Sequence, residues 1–231
     1  GAVQVRAFAE MRRHFDQHLR GIDRNGPAVE LWIGGADRWW TGDRWPTTRT
    51  ESIPFDLLRG PTHTLVFDPA APTPKTGGRT LSIDAGPVDC TALADRRDVV
   101  TLTGPPLPHH LTVIGRPTVT VELDADTGHT DLWVRLAEVD IHGLARSVSD
   151  GFLRLRDLRG RHTAVVELHP VGHRFSAGHR LRVHVAGGAF PHHDRNLGLD
   201  GDRLHLVDHR PTTVRIHDGR IDLPVAGPMD T

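Results

Sequence analysis

The stretch Gly178-His-Arg-Leu-Arg-Val-His-Val-Ala-Gly-Gly-Ala-Phe-Pro-His-His-Asp-Arg-Asn196 contains the strongest fold signal in the sequence. Residues 181–185 alternate apolar with more polar side chains, and a period of two is typical of a β-strand with one buried face. The glycine pair at 187–188 then predicts a break or a bulge, because glycine adopts backbone angles that other residues avoid. The stretch therefore predicts a strand that leaves its sheet at this pair.

The same stretch ends in Asp194-Arg195-Asn196, a polar triplet that follows the predicted break. An arginine has five N–H donors, and Asp and Asn side chains accept hydrogen bonds. Such a triplet can satisfy several loop amides and carbonyls at once. We expect it to tie down the loop as a structural knot, since it contains neither a nucleophile nor a metal-binding motif.

Similar alternation recurs at close intervals from residue 99 onward, and no helical pattern interrupts it. The predicted strands are Val99–Thr103, Leu111–Ile114, Val119–Leu123, Leu132–Val139, Phe152–Arg156, Thr163–Leu168, Leu181–Val185, Val214–His217 and Ile221–Val225. The alternation predicts one buried and one more solvent-exposed face for each strand, which is typical of antiparallel sheets. We therefore predict a mainly β protein with a jelly-roll β-sandwich.

The chain before this region is organised differently. The spacing of apolar residues over 2–19 predicts an amphipathic helix, and the apolar pattern of residues 29–33 predicts a strand. The apolar stripe of the helix consists of Phe8, Met11, Phe15 and Leu19. A Trp-rich loop then carries Trp39, Trp40 and Trp45, and residues 47–64 predict a linker with a short strand, Leu65–Phe67, after it. The stripe needs a partner that the strands downstream do not obviously supply.

Two Asp-Gly regions further along predict turns. Asp140 to Gly143 would join two strands as a hairpin, and Asp150-Gly151 would form a second turn of the same kind. Both are interpreted as structural.

Composition excludes several classes of protein. The 231 residues carry 28 basic and 29 acidic side chains, so a net charge of −1 offers no general attraction for nucleic acid or for acidic membranes. No apolar run approaches the roughly 20 residues of a membrane span. The single cysteine, Cys90, excludes an internal disulfide and has no basic cluster to activate it, so we expect an inert thiol. With no leader pattern at Gly1, these features favour a cytoplasmic location and a chain that is part of something longer.

Five stretches, in order along the chain, resemble the C-terminal region of the X-Pro dipeptidyl-peptidase and cocaine-esterase family of serine hydrolases. They are Asp16-Gln17-His18-Leu19-Arg20-Gly21; Gly35-Ala36-Asp37-Arg38-Trp39 with Asp43-Arg44-Trp45-Pro46; Phe67-Asp68-Pro69-Ala70 with Pro74 and Gly77-Gly78; Thr130-Asp131 with Ser149-Asp150-Gly151; and residues 178–196. Each stretch is short, but together they cover almost the whole chain.

The resemblance implies a role for each part of the chain. Residues 1–58 would be the C-terminal end of an α/β-hydrolase domain, and residues 59–231 a jelly-roll domain. In the family, the intact enzyme hydrolyses peptide or ester bonds by acyl transfer through a Ser-His-Asp triad that precedes the opening helix. The implied partner is thus an upstream hydrolase domain, on the same or a separate chain, which this region supports beside the substrate cleft. Self-association into a homo-oligomer stays open.

No residue is predicted to be catalytic. An α/β-hydrolase needs its nucleophile in a Gly-x-Ser-x-Gly elbow, with the acid and the histidine following along the chain. The serines are Ser52, Ser82, Ser147, Ser149 and Ser176, and none of them lies in such an elbow. We therefore expect this chain to be inactive by itself, and we predict no cofactor.

Two alternative functions, a metal site and a sugar-binding site, are suggested by other residues. His129 and Asp131 are spaced two apart, and a distant histidine such as His184 could complete the two-His-one-carboxylate site of a cupin-like jelly roll. With 17 histidines in the sequence such a pair arises easily by chance, so we predict no functional metal site. The cluster of Trp39, Trp40 and Trp45 could instead stack on a sugar in a carbohydrate-binding sandwich, although packing onto a neighbouring domain is the simpler interpretation.

Overall fold

The computed structural model describes residues 2–22, 26–45, 50–55, 61–80, 85–202 and 204–227. One α-helix, α1 (Ala2–Arg20), precedes the strands, and a 3₁₀ helix covers Thr91–Asp95. The strands are β1 (Val29–Ile33), β2 (Arg38–Gly42), β3 (Thr50–Phe55), β4 (His63–Phe67), β5 (Val99–Pro106), β6 (Leu111–Gly115), β7 (Thr118–Ala125), β8 (Thr130–Val139), β9 (Ala145–Leu155), β10 (His162–Glu167), β11 (Val171–Phe175), β12 (Arg180–Ala186) and β13 (Thr212–Ala226). The predicted mainly β class is confirmed. Among these described ranges, no helix has the length and apolarity needed to cross a bilayer.

Strand pairing shows how the chain is rolled into two layers. Strands β5 and β12, β6 and β11, β7 and β10, and β8 and β9 pair antiparallel. These pairs are nested along the chain, as expected for a long antiparallel ribbon rolled up into a jelly roll. The four-stranded sheet has the order β5-β12-β8-β9, and the other sheet has the order β10-β7-β13-β6-β11.

The long strand β13 completes the larger sheet. It lies between β6 and β7, and it also pairs with β3 and β4. We predicted two separate strands here, whereas a register shift between Ile216 and Asp218 lets one continuous strand follow the curvature of the sheet. The predicted linker 47–64 is also partly wrong, because β3 lies within it.

The core fills the space between the two sheets. From β8, the side chains of Leu132, Val134 and Leu136 point inward and are fully buried. Alternate residues of β7 and of β13 face them, including Val121 and Leu223. Burial of this apolar surface is the main favourable term in folding such a sandwich, and the period of two in the sequence predicted it.

The outer face of β8 is buried as well, which corrects the expectation of a more exposed face on this strand, whereas β7 and β10 show the predicted alternation. Trp133 and Ala137 of β8 pack there with Cys90, Leu93 and Ala189 in a second, smaller core. After β12 the backbone passes close to Phe67 of the inner core: a Cβ added at Gly187 or Gly188 would lie 2.4 or 2.8 Å from that side chain. The predicted glycine break after β12 is confirmed, and its physical reason is this aromatic ring.

Trp39 and Trp40 lie in strand β2 and not in the loop that we predicted, whereas Trp45 lies beyond the end of that strand. Strands β1 and β2 form a separate two-stranded antiparallel sheet in which Trp32 lies opposite Trp39. The two rings meet edge to face with centroids 5.6 Å apart. Aromatic cross-strand pairs stabilise antiparallel strands, so clustered tryptophans favour a hairpin at this position.

One of the two predicted turns is confirmed and the other is wrong. Asp140 Oδ1 accepts the amides of His142 and Leu144 at 2.8 and 3.0 Å, which closes the hairpin between β8 and β9. Asp150 and Gly151 instead lie inside β9. A Cβ at Gly151 would lie 2.3 Å from the carbonyl oxygen of Glu167 in β10, so this glycine permits a close backbone approach between the two sheets.

Candidate functional site

Helix α1 presents an apolar stripe that the β-sandwich does not cover. Residues 6–20 are exposed except for half-buried Glu10 and Arg13 and buried Asp16. The stripe side chains are exposed by 71% at Phe8, 51% at Met11, 50% at Phe15 and 76% at Leu19. Large apolar side chains grouped in this way mark a surface that another element covers.

The β1–β2 hairpin extends this surface. Trp32 and Trp39 are almost half exposed, and the guanidinium of Arg6 lies 3.7 Å from the centre of a Trp39 ring. A cavity of about 620 Å³ opens between the helix and the hairpin, and its walls include Arg6, Ala7, Glu10, Pro27, Trp32 and Trp39. We call the helix stripe and this cavity together the docking face.

Ion pairs hold the helix against the hairpin. Glu30 of β1 lies 2.5 Å from Arg6 Nη2 and 3.8 Å from Arg13 Nη2. Partly exposed ion pairs of this kind contribute about 0–1 kcal/mol each. Charge therefore orients α1 here, while its apolar stripe is left for a partner.

The polar triplet of residues 194–196 forms the predicted knot, which is built around Asp131. Arg154 donates to both carboxylate oxygens of Asp131 at 2.8 and 2.7 Å, and Asn196 Nδ2 donates to Oδ1 at 2.9 Å. Arg154 also donates to the backbone oxygen of Asp194 at 2.8 Å, and Arg195 donates to the carbonyl of Pro69 at 2.8 Å. A fully buried carboxylate is thus paired and hydrogen-bonded, as burial of a charge requires.

The ligands of the alternative metal site, His129, Asp131 and His184, are not brought together. His184 lies opposite Arg135 on the neighbouring strand, four residues along β8 from Asp131, so about 13 Å separates the two positions at roughly 3.3 Å per residue. His129 lies instead near Asp157 and Asp200, and one ligand atom from each falls within 4.8 Å of the others. These three residues could hold a divalent cation, although two of them are exposed acidic side chains.

Sequence reasoning missed a partly buried glutamate that joins two strands. Glu138 of β8 lies 2.7 Å from ring nitrogens of both His173 and His179, and it accepts the amide of Ser176 at 2.8 Å. Burial alone would raise the pKa of Glu138, but these hydrogen bonds and the charge of His173 outweigh it and lower the pKa. No local pattern could have revealed this site, because Glu138 is at least 35 residues from each of its partners.

A family model for the X-Pro dipeptidyl-peptidase C-terminal non-catalytic domain matches residues 21–221. This chain belongs to that family. The domain is 28% identical over 243 aligned positions to the cocaine esterase of Rhodococcus sp. (strain MB1 Bresler), covering 89% of this chain and 42% of that protein. It is 25% identical over 268 positions to a putative serine esterase of Mycobacterium bovis, covering 95% of this chain and 41% of that protein.

Solved structures show the same fold as this domain. An aminopeptidase from a marine-sediment Thaumarchaeota archaeon matches 94% of this chain and 43% of its own length, with a TM-score of 0.77 and 21% identity. An α-amino acid ester hydrolase matches 93% of this chain and 44% of its own length, with a TM-score of 0.75 and 21% identity. The chain therefore spans less than half the length of the relatives that it matches.

The serines of this family domain have structural contacts. Ser149 Oγ donates to the carbonyl of His169 at 2.7 Å, and Ser147 Oγ accepts the amide of Val88 at 3.0 Å. Ser52 and Ser82 lie outside the side chains that the structure describes. Among the described residues, no serine hydroxyl bonds to a histidine ring nitrogen, as the Ser-His pair of a hydrolase requires.

Cys90 lies in the smaller core. Its thiol donates to the carbonyl of Ala145 at 3.4 Å. Burial raises the pKa of Cys90, which keeps the thiol protonated and a weak nucleophile.

Proposed function

We propose that this domain is the non-catalytic β-sandwich of a serine hydrolase and that it supports the hydrolase domain and one side of the substrate cleft. The observation that carries the proposal is the docking face, with its exposed helix stripe and its apolar cavity. Leaving each stripe side chain in water forgoes about 1.5–3 kcal/mol. A hydrolase domain packed on this face would recover that free energy.

The division of the chain follows from the same face. We place the boundary after residue 58, so that α1, β1 and β2 belong with the hydrolase domain and residues 59–231 form the sandwich. Strand β3 then connects the two units, because it precedes the boundary but pairs with β13. The relatives include esterases and an aminopeptidase, so the reaction proposed for the whole protein is hydrolysis of an ester or peptide bond by acyl transfer.

Hydrogen exchange and sedimentation of the purified chain test the proposal. Most of the stability of a helix in a protein comes from packing of its apolar face, so residues 5–19 should exchange rapidly in a monomer or be protected only by self-association. A hydrolase domain of a relative, supplied as a separate chain, should protect them. The chain alone should turn over no p-nitrophenyl ester, because it lacks the nucleophile.

Matched variants sharpen this test. Phe8→Ser with Phe15→Ser should abolish both self-association and the protection that the added hydrolase domain gives. Leu204→Ser with Val207→Ser, at side chains exposed by 88% and 90%, removes similar apolar surface elsewhere and should change neither. Strong protection of residues 5–19 in a demonstrated monomer would contradict the proposal, as would ester turnover blocked by a serine-directed phosphonate.

A further inference from the structure

One cluster of charged side chains on the outer face of the four-stranded sheet contains two cations and one carboxylate. Arg135 Nη2 and Lys75 Nζ lie 3.3 and 3.4 Å from the same oxygen of Asp150. The three side chains are at most 5% exposed. Two cations therefore share one carboxylate, so this cluster of three side chains has one more positive than negative charge. Buried charges are normally matched by partners of the opposite sign.

Arg135 also has donors without acceptors. Its Nη2 donates to Asp150 and, at 2.6 Å, to the carbonyl of Thr76. Its Nε and Nη1 atoms are buried and have no hydrogen-bond partner among the described residues. Since a guanidinium carries five N–H groups, three of them are unused in a fully buried side chain. Native proteins rarely leave buried donors unsatisfied unless a water or an ion binds there.

A small cavity with both apolar and polar walls adjoins Arg135. It has a volume of about 160 Å³, and its walls include Gly78, Arg79, Arg135, Ser147, Asp150 and His169. At roughly 30 Å³ per water, this space holds about five waters or one small ion. It is smaller than the roughly 300–1,000 Å³ of pockets for drug-sized ligands. The size therefore suits a carboxylate or a phosphate group.

The remaining walls are chemically suited to an anion. Ser147 Oγ accepts an amide, so its own hydrogen is available to donate. Arg79 Nη1 lies 3.1 Å from His169 Nδ1, and it adds a third cation near the cavity. Burial, followed by the charge of Arg79, lowers the pKa of His169, so the ring is neutral at pH 7. Asp150 is the one acidic wall residue, and it is already neutralised by Lys75 and Arg135.

We propose that this cavity is a binding site for a small oxyanion, a carboxylate or a phosphate, held by the unused donors of Arg135 together with Arg79 and Ser147. A guanidinium binds both anions through paired N–H bonds. The inference is independent of the docking role, because the docking face and this cavity share no wall residue.

Thermal unfolding of the full chain at pH 7 tests the site with sodium acetate and sodium phosphate as probes, and sodium chloride at matched ionic strength as reference. At least one oxyanion should raise Tm saturably, while chloride should not. A saturable phosphate response with none for acetate identifies a phosphate site, and the reverse identifies a carboxylate site. Line broadening of the phosphorus NMR signal of inorganic phosphate gives a direct measurement of binding.

Variants connect the response to the cavity. Arg135→Gln removes the buried donors but can unfold the chain, so Arg79→Gln and Ser147→Ala are the decisive variants. Loss of a charge-assisted hydrogen bond in Arg79→Gln should weaken the apparent Kd by about tenfold or more. Arg215→Gln, at an exposed arginine of β13 paired with Asp124, is the matched control and should respond like wild type. Equal Tm shifts with oxyanion and chloride, or unchanged binding in Arg79→Gln, would overturn the site and assign the unused donors to water alone.

Discussion

The two faces of strand β8 are both buried, but different interactions bury them. On the inner face, Leu132, Val134 and Leu136 pack against the other sheet. On the outer face, Asp131 and Arg135 are equally inaccessible, yet each carries a charge. Within the 10 residues of β8, alternation thus separates an all-apolar inner face from an outer face that buries charged side chains among apolar ones.

The difference shows what each kind of burial requires. An apolar side chain needs only neighbours of suitable volume, which any part of the opposite sheet can supply. A buried charge needs particular partner atoms. For Asp131 these come from residues 23 and 65 positions away, and for Arg135 one comes from 59 positions away. The outer face is therefore more vulnerable to the loss of one partner.

The largest expected effect is at Asp150. Asp150→Ala leaves Lys75 and Arg135 buried without a counter-charge, so the free energy of unfolding should fall by about 3–5 kcal/mol. Leu136→Ala, next to Arg135 in β8 but on the inner face, should cost about 2–5 kcal/mol through the cavity that it leaves. Urea unfolding of both variants compares the faces directly.

A control for Asp150 uses an exposed pair. Glu167→Ala breaks the ion pair with Arg116, in which both side chains are at least half exposed. The loss should be below about 1 kcal/mol. If Asp150→Ala costs no more than Glu167→Ala, the outer face does not depend on charge pairing.

A smaller effect should appear as pH dependence at His184. Burial, followed by the charges of Arg182 and Arg135, lowers the pKa of His184 from 6.5 to about 4. Between these values the unfolded chain binds the proton and the folded chain does not, so stability is lost as the pH falls. From about pH 7 to about pH 5 this group should cost about 2 kcal/mol.

His184→Gln isolates that contribution. The ring Nδ1 lies 3.1 Å from Thr101 Oγ1, and a glutamine amide can retain a polar contact there. Denaturant unfolding at about pH 7 and about pH 5 should show a smaller acid-dependent loss in the variant than in wild type. Exposed His142→Gln should leave the loss unchanged. The same loss in wild type and His184→Gln would contradict a neutral buried imidazole.

The smallest of these effects is expected at Arg195. Arg195→Ala removes the bond to the carbonyl of Pro69 and should cost about 1–2 kcal/mol, measured by thermal unfolding. Arg220→Ala, at an exposed arginine that bonds its near neighbour Asp222, is the control and should cost a few tenths of a kcal/mol. An unchanged Tm in Arg195→Ala would show that the knot depends on Asn196 and Arg154 alone.

Sequence reasoning succeeded where one local period decided the outcome. The inward residues of β7, β8 and β12 alternate clearly, and all three strands were predicted. It failed at β11, where Val171-Gly172-His173-Arg174-Phe175 shows little alternation. It also failed at Asp150-Gly151, because an Asp-Gly pair usually marks a turn. Only the approach of the Glu167 carbonyl explains why glycine lies within β9.

The sequence by itself determined the β class, the inner core, the opening helix and the family, because periodicity and ordered motifs are properties of neighbouring residues. Tertiary structure decided which polar residues meet: Asp131 with Arg154 and Asn196, and Arg135 with Asp150. It also decided that His129 and His184 lie apart. The physical reason is that apolar burial is non-directional and tolerates many neighbours, whereas hydrogen bonds and ion pairs require particular atoms that only the folded chain brings within about 3 Å.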